Sequence, residues 1–330
     1  MAYVLGLDGG GSKTYALVAD EHGNVLGKGR SGNGNHQLGA GQAARSIREA
    51  AFGALAQAGI GLADVRHTFF GLAGADRKAD YDILHGIIGS LGFKDYTVAA
   101  DTIIGLRAGT DRPYGVALIC GTGTNAAGIN PAGRHYQCGG FDYMYGDFGG
   151  GGALNIEVFR TVIRAWDGRE APTLLTGPLL ALLGYSSVED MWNDFLDHGK
   201  QVPLEAARLL FPAAAEGDPA ALEILRRQGS ELGRSAAAVI RRLGMGHDRF
   251  DVVLAGSLLT RGDRGWIRGP IEAAVREAAP QAAVVTLTAE PVIGAVWAAM
   301  EAGGGSVAPE AAERMRAYRD FETIPIWRQE

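Results

Sequence analysis

Two glycine-rich turns hold the residues with the most chemical potential. The first is Asp8-Gly9-Gly10-Gly11-Ser12-Lys13-Thr14 and the second is Gly121-Thr122-Gly123-Thr124-Asn125, with Gly11-Ser12 falling on Gly121-Thr122 in alignment. Backbone N–H groups left open by glycine, with hydroxyls beside them, suit the oxygens of a polyphosphate. Each turn alone reads as well as an ordinary hairpin turn. The repeated rhythm of strand, turn, strand and turn is what suggests a duplicated fold with a nucleotide clamp. Asp8 ends the first strand and could hold Mg²⁺ through water, because that ion takes few carboxylates along with phosphate oxygens. Asp101 follows an apolar strand and opens the next helix, at the edge where open α/β sheets place ligands; the commonplace use of such a position is an N-cap. Asn35-His36 lies in a Gly-rich loop, and Asp142 and Asp147 lie in a polar run that starts at Gly139-Gly140-Phe141. Polar side chains on such loops suit hydroxyl recognition or, more plainly, surface Asx turns. Gly256-Ser257 ends another apolar strand, where backbone could lie flat against a base or simply turn into a helix.

Two familiar phosphate loops are excluded. A Walker-type loop needs Gly-Lys-Ser/Thr and then a helix. Here Ser12 stands where that lysine belongs, and a β-branched, alternating strand follows. The dinucleotide fingerprint fails likewise, since no helix N-terminus follows the turn to receive a pyrophosphate.

The elements that must position these residues alternate between strand and helix. Strands are expected from Val4 to the first turn and from Thr14 to Ala19, with a further turn over 21–24. An Ala-rich helix over 40–58, a strand over 67–72, a helix over 79–91, a strand over 96–100 and a helix over 102–108 complete the first half. Asp111-Arg112-Pro113 is the linker candidate, because the second copy begins directly after it. That copy carries a strand ending at Cys120, a returning strand reaching Ile129 and a turn at Asn130-Pro131-Ala132-Gly133. Helices are expected over 153–166, 173–183, 187–198, 204–210 and 219–243, strands over 251–255 and 283–287, and a helix over 292–300. The tail from Gly303 reads as a loose end. The expected division is 1–112 for an N-terminal domain and 113–330 for a C-terminal domain with a helical insert.

Composition limits the function classes. The 330 residues are 47% hydrophobic and 21% charged, enough for two cores, and the net charge of −6 offers no basic field for nucleic acid. Cys120 and Cys138, the sole cysteines, are too few for a disulfide scaffold or a four-cysteine metal site. No apolar run approaches about 18 residues and no cleavable leader is visible. A cytoplasmic protein with a small-molecule substrate, and with no nucleic-acid or membrane partner, is the expectation.

In order along the chain, these motifs resemble the sugar kinase, heat-shock ATPase and actin superfamily. Within it the chain is similar to the group of N-acetylglucosamine kinases and activator-type BadF-BadG-BcrA-BcrD ATPases, from Val4 to about Met300. The resemblance implies an α/β fold of two ribonuclease-H-like, actin-like ATPase domains with a central nucleotide cleft. It implies ATP and Mg²⁺ as cofactors and a homodimer. Asp8, Gly10, Gly11, Ser12, Lys13 and Thr14 look like the first phosphate motif, and Gly121, Thr122 and Gly123 like the second. Leu254-Ala255-Gly256-Ser257 looks like the adenosine motif, and Ala214 falls in a stretch that contacts adenosine. Asn35 and His36 look like the amino-sugar loop, Asp101 like the catalytic base, and Gly140, Phe141, Asp142 and Asp147 like the sugar-binding turn, with Thr124 and Asn125 in support. The implied reaction moves the γ-phosphoryl group of ATP to an amino-sugar hydroxyl, first of all the 6-OH of N-acetylglucosamine. Glucosamine, N-acetylmuramic acid or another hexose are the alternatives.

The sugar turn departs from the group's usual pattern. Gly-Gly-Phe-Asp stands where Gly-Gly-Trp-Gly is common, and Phe148 replaces the acid that usually follows Asp147. Asp142 adds a carboxylate suited to a free amine or an extra hydroxyl. Two other classes stay open. An activator ATPase would share an iron-sulfur cluster on four thiolates at a dimer interface, and Cys120 in a core strand with Cys138 apart from it gives that little support. A non-catalytic sugar sensor has no DNA-binding helix pair ahead of Val4 to recommend it.

Overall fold

The computed structural model describes residues 2–141, 143–260, 264–319 and 321. The chain runs β1 (Tyr3–Gly9), β2 (Thr14–Asp20), β3 (Val25–Ser31), α1 (Ala40–Ala58), β4 (Val65–Leu72), α2 (Lys78–Ser90), β5 (Tyr96–Ala100) and α3 (Asp101–Gly109). It continues through β6 (Gly115–Cys120), β7 (Thr124–Ile129), β8 (His135–Cys138), α4 (Gly151–Trp166), α5 (Thr176–Leu183), α6 (Val188–His198), α7 (Leu210–Ala215) and α8 (Pro219–Leu243). It then forms β9 (Asp251–Ala255), α9 (Ser257–Thr260), α10 (Arg268–Ala278), β10 (Ala283–Thr286), α11 (Pro291–Ala302) and α12 (Pro309–Arg316).

The first sheet has the order β3-β2-β1-β4-β5 and the second β10-β9-β6-β7-β8, which is the same order read from the other edge. The strand pattern that opens at β1 therefore opens again at β6. In the first sheet β1 pairs antiparallel with β2 and parallel with β4, which pairs parallel with β5. Gly9 stands opposite Leu72, and Leu72 opposite Ala100, so three parallel strands end level. That register sets Asp8 and Asp101 at one sheet edge.

Alternation along the strands feeds two cores, one on each face. Leu5, Leu7, Ala16 and Val18 join Ile47 and Ala50 of α1 and Leu84 and Ile88 of α2. Val4, Tyr15, Leu17 and Ala19 join Ile104 of α3 and the apolar side of α11. Helix α11 can lie this close because Gly6 presents no side chain; a Cβ there would stand 2.4 Å from the Val296 nitrogen.

By contact the described residues of Met1–Ala117, Ala127–His135 and Val285–Glu330 form one compact unit, and Leu118–Ala126 with Tyr136–Val284 form another. The sequence reading ended its first domain at residue 112, without the return of α11 and α12 to the first unit. Burial of α11 in the β1 core is the physical reason for that return. The tail was also expected to end loosely. Instead Ala311 and Met315 of α12, with Phe321, are buried in the same core. Helix α10 was not anticipated, and the expected helix over 204–210 is a 3₁₀ turn, Leu204–Leu209, leading into α7. Among the described residues, no helix is long and apolar enough to cross a membrane.

Candidate active site

In the first unit the turn between β1 and β2 is fixed by its neighbours. Gly10 donates its N–H to the Lys13 carbonyl at 2.9 Å, and Gly34 donates to the Gly10 carbonyl at 2.9 Å. Ala73 donates to the Gly9 carbonyl at 2.8 Å. Thr14 is buried, with its hydroxyl donated to the Gly32 carbonyl at 2.8 Å, so it ties the turn to the next loop. Gly11 and Ser12 are exposed. The Lys13 ammonium lies 3.6 Å from the Glu290 carboxylate and 4.3 Å from the Tyr15 ring centre.

Two carboxylates at the edge of the first sheet are reluctant to ionise. Burial, and then the charge of Asp76, push Asp101 up to about 6. Burial, then Asp101, push Asp8 up to about 7, with Lys13 pulling it down. Asp101 occupies the first turn of α3 while Ala100 takes the N-cap place, so the commonplace capping role falls away. An acid near neutrality, set where a helix begins, is suited to taking a proton.

The loop ahead of α1 is held from below. Asn35 accepts from the Gln37 N–H at 2.9 Å and so spends one lone pair on its own turn. The His36 ring is buried, with Nε2 3.2 Å from Asp80, and Asp80 accepts from the backbone N–H, Nε and Nη2 of Arg77. Those Arg77 bonds hold the Asp80 carboxyl well below the usual carboxylate range. His36 Nδ1 is buried with no hydrogen-bond partner among the described residues. His36 thus anchors the loop that carries Asn35, a role the sequence did not suggest.

In the second unit, Gly121 donates to the Gly123 carbonyl at 2.9 Å, while Gly151 and Gly152, opening α4, donate to the carbonyls of Gly121 and Thr122 at 2.7 and 2.9 Å. Gly150 and Gly256 have φ of +74° and +91°, and both lie against backbone; a Cβ on Gly256 would stand 2.4 Å from the Cys120 carbonyl oxygen. Only glycine meets both demands there. A cavity is lined by Gly121, Thr122, Gly151, Ser257 and Leu258 together with Glu205 and Arg208. Flat glycine backbone suits a nucleotide, and Arg208 offers a guanidinium to phosphate with the Glu205 carboxylate on the same wall. Arg208 is a residue the sequence reading missed, since a lone arginine in a short 3₁₀ turn carries no signal. Ala214 is buried in α7, and its carbonyl accepts from Gly217 at 3.1 Å; it is not among the residues lining the cavity.

The turn after β8 is closed by Asp147, which accepts from the N–H groups of Gly140 at 2.9 Å and Phe141 at 2.6 Å. Asn125 packs against Gly140, and its Oδ1 is buried with no donor among the described residues. Thr124, at the start of β7, is half-buried beside it. Asp142 lies outside the described residues. Phe148 turns toward α8, with its ring 4.2 Å from the Arg227 guanidinium carbon. Gln228 of the same helix, fully buried, accepts from the Gly150 N–H at 3.1 Å.

No group of three or more His, Cys, Asp or Glu placed to hold a metal occurs among the described residues. The donor set fits Mg²⁺ only as an ion brought with phosphate, with Asp8 as the protein carboxylate.

Comparison with known proteins agrees with this architecture. An N-acetylmuramic acid/N-acetylglucosamine kinase of Clostridium acetobutylicum is 30% identical over 263 residues, 78% of this chain and 86% of that protein. An N-acetyl-D-glucosamine kinase of Dictyostelium discoideum is 28% identical over 311 residues, 90% of this chain and 97% of that one. A solved structure from Chromobacterium violaceum, described as a candidate N-acetylglucosamine kinase, has a TM-score of 0.66 at 24% identity and covers 90% of this chain and 98% of its own; it shows the shared fold of two actin-like ATPase domains. The family model for the BadF/BadG/BcrA/BcrD ATPases matches residues 5–302, nearly the whole chain, and the protein belongs to that family.

Proposed function

We propose that the protein is an ATP-dependent amino-sugar kinase that phosphorylates N-acetylglucosamine at the 6-OH. The observation that carries this reading is Asp101, a carboxylate near neutrality at the start of α3, level with the phosphate turn of β1 and β2. The names of the kinase relatives support the sugar class.

In the first unit the exposed turn residues Gly11 and Ser12 suit phosphate oxygens, with Lys13 adding positive charge; in the second unit the exposed Thr122 and Gly123 do the same, with Arg208 nearby on their cavity. Asp8 would hold the Mg²⁺ that arrives with the phosphates, and that ion would supply charge neutralisation there. Asn35, Asn125 and Asp147 orient ring hydroxyls. Asp101 takes the proton of the attacking hydroxyl as its oxygen bonds to the γ-phosphorus of ATP and the bond from that phosphorus to the β,γ-bridging oxygen breaks, releasing ADP. The proposal places the working enzyme in the cytoplasm as a homodimer, which sedimentation of the purified protein would check.

The cysteines speak against an iron-sulfur activator. Cys120 is fully buried in the core strand β6, whereas a cluster shared between two subunits needs its cysteines at a surface.

The test is ADP release with Mg²⁺ against N-acetylglucosamine, glucosamine, N-acetylmuramic acid, N-acetylmannosamine and glucose. Strong stimulation by N-acetylglucosamine is expected. Stimulation by another sugar alone would revise the acceptor, and stimulation by none would overturn the kinase reading.

A further inference from the structure

We propose that Glu290 is a positioning residue for the nucleotide phosphates, acting through Lys13. The proposal rests on the reading of the β1–β2 turn as a phosphate turn and assigns a part in it to a residue nearly 280 positions away in sequence.

Glu290 occupies the N-cap place of α11, and the helix it caps is firmly seated. Val292, Ile293, Ala295, Val296 and Trp297 are fully buried, and Gly6 lets the helix backbone rest directly on β1. The carboxylate is therefore held at a set height over the β1–β2 turn. Its Oε2 lies 3.6 Å from Lys13 Nζ, and the same ammonium stands 4.3 Å over the ring of Tyr15, itself buried. A lysine end group is ordinarily free to swing over many rotamers, and binding a ligand must quench that freedom. Between a carboxylate on one element and an aromatic face on another, much of the search is already done. The ammonium has three donors; Glu290 engages one side of it, which leaves donors for phosphate oxygens.

The fold does not need this pair. The two side chains are 44% and 36% exposed, and ion pairs that wet contribute little to stability. A carboxylate beside a polyphosphate turn is an electrostatic cost unless it serves the cation next to it. The geometry points to that service.

Calorimetric titration with AMPPNP and Mg²⁺, and separately with adenosine, tests the proposal on wild type, Glu290→Gln, Lys13→Met and the double variant. Glu290→Gln is expected to weaken AMPPNP about three- to fivefold, the range open to a wet ion pair, and to leave adenosine unchanged. Lys13→Met is expected to weaken AMPPNP about tenfold or more, and the double variant no further than Lys13→Met alone. Multiplying effects in the double variant would overturn the proposal. So would AMPPNP binding that is unchanged or tighter in Glu290→Gln, an equal loss for adenosine, or no effect of Lys13→Met. Glu290→Asp, which shortens the reach while keeping the charge, is expected to behave as Glu290→Gln, so the outcome does not hang on one variant's folding. The kinase reading fails separately: a wild type that no sugar stimulates, yet that shows the expected binding pattern, would remove the acceptor and leave the role of Glu290 standing.

Discussion

Asp101 ionises late because its charge is poorly hydrated and because Asp76 already holds one. As a base it works ionised, so kcat/KM is expected to fall about tenfold per unit below roughly pH 6. Asp76→Asn removes the neighbouring charge and should move that limb to lower pH, which a pH–rate profile reads directly. The same shift acts on stability. A carboxyl whose folded pKa is raised binds its proton more tightly in the folded state, so its contribution to stability declines as pH climbs from the unfolded value of 3.8 to about 6. Asp101→Asn is therefore expected to lose about a hundred- to ten-thousandfold in turnover while melting higher than wild type at pH 8, with the gap closing near pH 4. Equal melting at both pH values would count against the raised Asp101 carboxyl. At this scale the sequence showed Asp101, because an acid following an apolar strand is a local pattern. It could not show Asp76, Arg208 or Glu290, whose meaning arises only when distant segments meet. Nor could it show that His36 is buried on Asp80, since a histidine in a polar glycine loop reads as wet.

Helix α3 carries Asp101 at one end, and its course is set by α11. Gly294 of α11 lies so close that a Cβ would stand 2.0 Å from the Ile104 carbonyl oxygen. Alanine in a helix interior normally gains about 1 kcal/mol over glycine. Here overpacking against backbone outweighs it, with a cost of about 1–3 kcal/mol or more. Gly294→Ala is expected to lower the melting temperature and, by displacing α3, to reduce kcat more than it weakens AMPPNP; a higher melting temperature would contradict the close approach. Strands and long helices were readable because period-2 and period-3.6 patterns persist through them, and α8 was placed end to end by Asp218-Pro219 at its start and Gly244 after its close. Helices α10 and α12 escaped because each buries only two residues, Ile271 with Val275 and Ala311 with Met315, among charges and breakers.

For the whole molecule, the repeated strand order shows one plan used twice, and the matched glycine turns were its trace in the sequence. What the sequence hid was the membership of the first unit, because apolar residues in α11 announce burial without naming their partner. Removing residues 303–330 takes Ala311, Met315 and Phe321 out of the core and frees Asp111 from Arg316. We expect that truncation to lower the melting temperature by several degrees, and an unchanged melt would show the tail to be dispensable. The return of α11 also bears on the order of events during synthesis. Domains usually settle from the N-terminus as they leave the ribosome. In this chain β1 is made long before α11, the helix that covers one of its faces. Val4, Tyr15 and Leu17 must stay uncovered on that side until α11 has been made, so a segment that is synthesised early is finished late.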